Sequence, residues 1–174
     1  LPGNLYKQVQ IAYAVPRNIS LVTVANNDLY NLFPTDLHGP INEQYYSISL
    51  RQNGKACEEV EATRQILISE MDSNLYKTVY DLGKNHMQPM KPKENFPFGE
   101  FYSANFNLPI PEFATKYREL DLIESFDHGI HRLHLFKIIS TQMLNLNPFT
   151  LAHIHNAYAT WRHNNGLPGN YLLR

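Results

Sequence analysis

Apolar residues in the first half of the chain recur in short runs and alternations, each closed by a turn signal, as strands do. From Gln8 to Val15, Val9, Ile11 and Tyr13 alternate with smaller or polar neighbours, and Pro16-Arg17-Asn18 breaks the run. Ile19 to Ala25 is β-branched and apolar, with a turn at Asn26-Asn27-Asp28. A short apolar stretch covers Tyr30 to Pro34. Tyr45 to Leu50 reads as another strand and runs into Gln52-Asn53-Gly54. Gln65 to Ser69 carries Ile66, Leu67 and Ile68 and is short enough to be a buried strand.

The pattern changes over residues 72–86. Asp72 or Ser73 can cap a helix, Leu75, Val79 and Leu82 sit at helical spacing, and Gly83 with Lys84 and His86 fits its end. Prolines at 89, 92, 97, 109 and 111 predict an irregular excursion over 87–112. Strands return over Leu120–Glu124, Arg132–Ser140 and Leu151–Trp161. Many short strands and one clear helix predict a mainly β barrel or sandwich with few helices, residues 1–174 forming a single domain.

Composition narrows the class. Hydrophobic residues make up 43% and charged residues 18% of the 174, as in ordinary globular proteins. A net charge of −1 lacks the electrostatic footprint of a nucleic-acid binder, so no nucleic acid is expected as a partner. Cys57 is the single cysteine and cannot form an internal disulfide, which favours a reducing compartment, the cytoplasm. No apolar run approaches the ~20 residues that span a bilayer, and no charged-then-apolar leader is visible, so no membrane association is expected. Eleven tyrosines and nine phenylalanines suit half-buried sheets, cofactor pockets and interfaces alike.

Candidate chemistry concentrates between Ile19 and Cys57. Arg51 and Lys55, four residues apart around Gly54, could supply charge-assisted donors to a phosphate, while Asn31 and Thr35 could meet a ring edge or a ribityl chain. The same spacing describes a solvated basic hairpin. His153 and His155 would point to one side of a strand and could bind a metal, although no carboxylate follows within the next ten residues. His128, His131 and His134 converge only on a helix; on a strand, His131 and His134 face opposite ways. Cys57 has no histidine near it in sequence and is read as structural or phosphate-adjacent.

The ordered series Ile19-Ser-Leu-Val-Thr-Val-Ala25, Asn31-Leu-Phe-Pro-Thr35, Tyr46-Ser-Ile-Ser-Leu-Arg51 and Lys55-Ala-Cys57 resembles the flavin reductase-like, FMN-binding split β-barrel family. Gln65 to Met71 looks like the family's next strand, and Gly129-Ile-His131-Arg-Leu-His-Leu-Phe-Lys-Ile138 like its late Gly-Asp-His strand. Ile130 stands where the family usually has Asp, and Phe136 where it has Gly. The resemblance covers roughly residues 9 to 160. It implies FMN as cofactor, held by Asn31, Leu32, Phe33, Pro34, Thr35, Ser49, Arg51, Lys55, Cys57 and His131 near the interface of a homodimer. It implies an oxidoreductase that transfers a hydride from NAD(P)H to flavin. A flavin-binding protein without nicotinamide turnover, and a metal-binding β-barrel using His153 and His155, are the alternatives.

Overall fold

The computed structural model describes residues 13–146 and 149–155, together with 157, 161 and 164–166. Strands β2 (Ser20–Asn26) and β3 (Leu29–Thr35) meet at Asn27-Asp28, whose φ angles of 50° and 63° give the left-handed pair that a two-residue hairpin turn requires. Short polar Asn and Asp tolerate that conformation, so this turn sets the register in which Thr23 faces Leu32 and Val22 faces Phe33. The second hairpin joins the long strands β10 (Ala114–His128) and β11 (His131–Met143) through Gly129-Ile130, with Gly129 at φ 62°.

With β4 (His38–Pro40), β5 (Tyr45–Arg51), β6 (Gln65–Met71) and β7 (Lys91–Pro92), these strands make one antiparallel sheet in the order β4-β5-β11-β10-β6-β2-β3-β7. The sheet curls around Phe33, Ile48, Ile66, Ile68, Leu120 and Phe136 without closing on itself. It is a split barrel, as the family resemblance implies. Each of these side chains is essentially fully buried, which contributes about 1.5–3 kcal/mol apiece to folding. The excursion over 87–112 carries a small separate pairing of β8 (Phe98–Tyr102) with β9 (Pro109–Pro111).

The helices depart from expectation in one place. The predicted helix over 72–86 is present as a 3₁₀ turn at Ser73–Leu75, α2 at Tyr76–Asp81 and a 3₁₀ segment at Leu82–Met87. Asp72 caps it by accepting from the Asn74 amide at 2.9 Å. An additional helix, α1 (Lys55–Thr63), occupies what reads as a turn or hairpin in the sequence. Gly54 caps it without a side chain, so the usual polar start signal is missing. Its burial of Ala56, Cys57 and Val60 toward the barrel explains why it forms.

Residues 19–151 form one compact unit. The described residues 13–18 and 152–166 belong to a second, in which β1 (Arg17–Asn18) pairs with β12 (Ala152–His153). Two predicted strands are corrected there. Of Gln8–Val15, residues 8–12 lie outside the described residues and Tyr13 and Ala14 are helical. Of Leu151–Trp161, only Ala152–His153 is strand, while His155, Ala157 and Trp161 are helical. Alanine is the best helix former, and Ala157 stands among these helical residues, where a short apolar alternation does not decide the conformation. Among the described residues, no helix is long and apolar enough to cross a membrane.

One buried charge locks the excursion to the barrel. Glu119, fully buried on β10, accepts from the Asn105 and Phe106 amides at 2.8 Å each and from Ser140 Oγ at 2.6 Å. Burial by itself pushes its carboxyl up, but these donors more than reverse that and hold it at about 2. Its ionised form is thus favoured by folding, and that contribution is present above the ordinary carboxylate pKa and lost as pH falls toward 2. Glu119→Gln is expected to lower unfolding free energy near neutral pH by about 1.5–3 kcal/mol, with the gap from wild type narrowing below about pH 4; urea denaturation across that range checks it.

Candidate functional site

A cleft lies where β3 hands over to β4 and β5 hands over to α1. The register of β5 on β11 sets Arg51 opposite His131, and period-two alternation then puts Ser49 on the same face while Leu50 turns into the core. Gln52 fastens this end by donating from its backbone to the Ile130 carbonyl at 3.1 Å and from Nε2 to the His131 carbonyl at 3.1 Å. Ser49 Oγ and His131 Nδ1 lie 3.1 Å apart.

A cleft of about 290 Å³ results, lined by Pro34 to Leu37, Ser49 to Arg51, Gly54 and Ala56, His86 and Met87, and His131. One end is cationic. No carboxylate among the described residues pairs with the Arg51 guanidinium, and the first turn of α1 starts beside it. The amides of Lys55 and Ala56 have no partner within the helix, as the geometry of any helix start dictates. Leu37, Ala56 and Met87 give the rest of the wall an apolar character, interrupted by the Ser49 and Thr35 hydroxyls.

Gly54 permits the close packing of this wall. A Cβ there would lie 3.2 Å from the Arg51 carbonyl oxygen and 3.3 Å from that of His86, so any side chain would force main chain apart. His86 Nε2 approaches the Pro34 carbonyl oxygen at 2.5 Å. A carbonyl only accepts, so Nε2 carries the proton. Burial lowers the His86 pKa and outweighs the Pro34 bond and the nearby Asp36, which raise it, so the ring is neutral at neutral pH.

The structure brings together five of the ten predicted cofactor residues: Pro34, Thr35, Ser49, Arg51 and His131. The other five lie off the cleft. Leu32 and Phe33 fill two different core clusters, and Asn31 is buried behind the wall. Lys55 turns to the surface and pairs with Glu58 at 2.6 Å. Cys57 is buried with Sγ 3.9 Å from His134 Nε2, and burial pushes its thiol pKa up, so it is no exposed thiolate. His134 faces the core while His131 faces the cleft, as a spacing of three on a strand requires. His86, Met87, Leu37 and Ala56 are cleft residues absent from the prediction; Gly54 and Ala56 adjoin the predicted turn, whereas nothing in the sequence connects His86 with Arg51.

In the second unit, His153 Nε2 and His155 Nδ1 lie 3.5 Å apart, one on β12 and the other helical. Among the described residues no group of three or more His, Cys, Asp or Glu side chains is placed to hold a metal ion.

Because the native His86 takes up its proton below the ordinary imidazole pKa, the unfolded chain binds protons first as pH falls through about 6.5, and stability declines there. His86→Gln keeps a donor for Pro34 and removes this uptake. Wild type is expected to lose more stability than the variant between about pH 7 and about pH 5.5, measured by denaturant titration at both values.

No protein-family model matches the sequence, and no curated protein does. Solved structures do match. The FMN-binding protein of Thermus thermophilus with bound 1-cyclohex-2-enone superimposes with a TM-score of 0.72 at 18% identity, over 88% of this chain and 86% of that one. The NADH:FAD oxidoreductase SgcE6 of Streptomyces globisporus gives 0.69 at 12% identity over 82% and 85%. The styrene monooxygenase flavin reductase of Pseudomonas putida gives 0.68 at 13% identity over 84% and 92%. The fold is therefore that of the flavin reductase-like split barrels.

Proposed function

We propose that this protein binds a flavin, FMN in particular, in the cleft between β3, β5 and α1, and that it transfers a hydride from NAD(P)H to that flavin. The observation that carries the reading is the Arg51 guanidinium, which pairs with no carboxylate among the described residues, beside the first turn of α1 at one end of a partly apolar cleft. A phosphate monoester is the anion such an end takes, because Arg offers two parallel donors and the helix start offers amides and a positive dipole end. Ser49, Thr35 and His131 supply polar contacts beyond it, and Leu37, Ala56 and Met87 supply apolar surface for a planar ring. The flavin, when bound, supplies the redox chemistry; the chain's own groups bind, orient and exclude water. His86, neutral and tied to Pro34, shapes the wall without adding charge.

The nicotinamide half of the proposal draws on the printed names of similar structures, among them an NADH:FAD oxidoreductase. The homodimer draws on two features. A volume of 290 Å³ lies at the small end of the ~300–1,000 Å³ typical of ligand sites, so a second copy is needed to enclose a whole flavin. Ile123, Phe126, Ile130 and Leu133 are also exposed on the β10–β11 hairpin, with Ile130 next to the cleft residue His131. The free, buried Cys57 fits a reducing compartment such as the cytoplasm.

Titration with FMN is expected to quench flavin fluorescence and leave a yellow protein, and anaerobic NADH or NADPH is expected to bleach it. Arg51→Ala should weaken FMN binding roughly 10- to 150-fold, the equivalent of about 1.5–3 kcal/mol for one charge-assisted contact, while Lys55→Ala leaves it unchanged. Equal losses at both positions would contradict the phosphate assignment. A yellow protein that nicotinamide does not bleach would leave flavin binding without turnover. Sedimentation is expected to give a dimer, and a monomer at all concentrations would remove that part of the reading.

A further inference from the structure

The wall opposite β5 is residues 85–88, and little apolar packing holds it. In the 3₁₀ segment Leu82–Met87 only Leu82 and Asn85 are buried, and Met87 is largely exposed. Hydrogen bonds to β3 hold it, together with the His86 ring packed on Phe33 at a centroid distance of 4.9 Å. Asn85 Nδ2 donates to the Leu32 carbonyl at 2.8 Å, and His86 Nε2 donates to that of Pro34. Asn31 works in the reverse direction. Its Nδ2 reaches the carbonyls of Asn85 at 3.1 Å and Gln88 at 3.3 Å, one at each end of the wall, and Glu59 Oε2 on α1 at 2.6 Å.

Asn31 is 1% exposed, and its two amide hydrogens are shared among these three acceptors; the bond to the Asn85 carbonyl is buried, where its loss leaves an acceptor unpaired, while Glu59 and Gln88 are partly exposed. The amide orientation is determined by its surroundings. A carboxylate and two carbonyls are all acceptors, so the NH₂ end must face them. One side chain therefore ties together the strand that enters the cleft, the helix whose first turn lines it, and the wall that closes it.

We infer that Asn31 is a positioning residue whose amide holds the 85–88 wall against β3 and so sets the width of the flavin cleft, an inference that rests on the flavin reading above. It touches no ligand itself; it acts through His86 and Met87. Gly54 is the complementary half of the device, since its missing side chain lets the His86 carbonyl approach α1.

Asn31→Leu keeps the side chain's approximate size and removes the donor. In the purified variant of this chain, hydrogen exchange of amides 85–88 is expected to quicken roughly tenfold or more, while amides of β2 keep their wild-type rates. FMN affinity, read by fluorescence titration, is expected to fall at least tenfold. Wild-type exchange at 85–88 in the folded variant would overturn the inference. So would equal acceleration of β2 and the wall, which makes Asn31 a general stability residue, or a loosened wall with unchanged FMN affinity. If Asn31→Leu does not fold, Asn31→Ser is read by the same exchange experiment. Failure of the wild-type protein to bind FMN would instead sink the flavin reading, while the exchange rates would still decide whether Asn31 holds the wall.

Discussion

The antiparallel pairing of β5 with β11 is the constraint on which the site depends. Strand side chains alternate between faces, so the register with Arg51 opposite His131 simultaneously sends Tyr46, Ile48 and Leu50 into the core. A slip of one residue would bury Ser49 and Arg51 and expose those three apolar side chains. At about 1.5–3 kcal/mol for each of them, the core itself excludes the alternative. Gln52 adds direct ties to the turn at Gly129-Ile130, so the end of β5 and the start of β11 move as one piece.

Helix α1 connects that core to the chemistry. It buries Ala56, Cys57 and Val60 and thereby points its first turn at the cleft. On its far side Glu61 accepts from Arg132 Nη1 at 2.5 Å, and Arg132 also donates to Asp127 at 2.6 Å. Such solvent-screened pairs add little to stability, so their role here is geometric: they register α1 against the β10–β11 hairpin.

Electrostatics within the cleft are simple for the same reason. Burial keeps His86 neutral and keeps the Cys57 thiol protonated, and Lys55 is engaged at the surface with Glu58. Positive charge at the cleft is left to Arg51 and the α1 dipole. The cationic end suits a ligand with an anionic group, and Asp36 is the carboxylate that also lines the cleft.

Much of the architecture was legible in the sequence because strands announce themselves locally. Alternation and β-branching marked β2, β5, β6 and β11, Asn26-Asn27-Asp28 marked a turn, and Asp72 or Ser73 marked a helix start. Pro34, Thr35, Ser49, Arg51 and His131 could be proposed because their strands carry a family-like order. The sequence by itself thus determined the strands, the faces they bury and the mainly β class, through short-range periodicity. Helix α1 escaped because glycine caps it and its apolar face is three residues wide. Asn31, Leu32 and Phe33 looked like ligand residues and became clamp and core, because which face of β3 meets the cleft is set by neighbouring strands. His86 and Met87 joined Arg51 only in three dimensions. Only the tertiary structure decided which polar groups share one cleft, since that depends on register and packing between segments that are not neighbours along the chain.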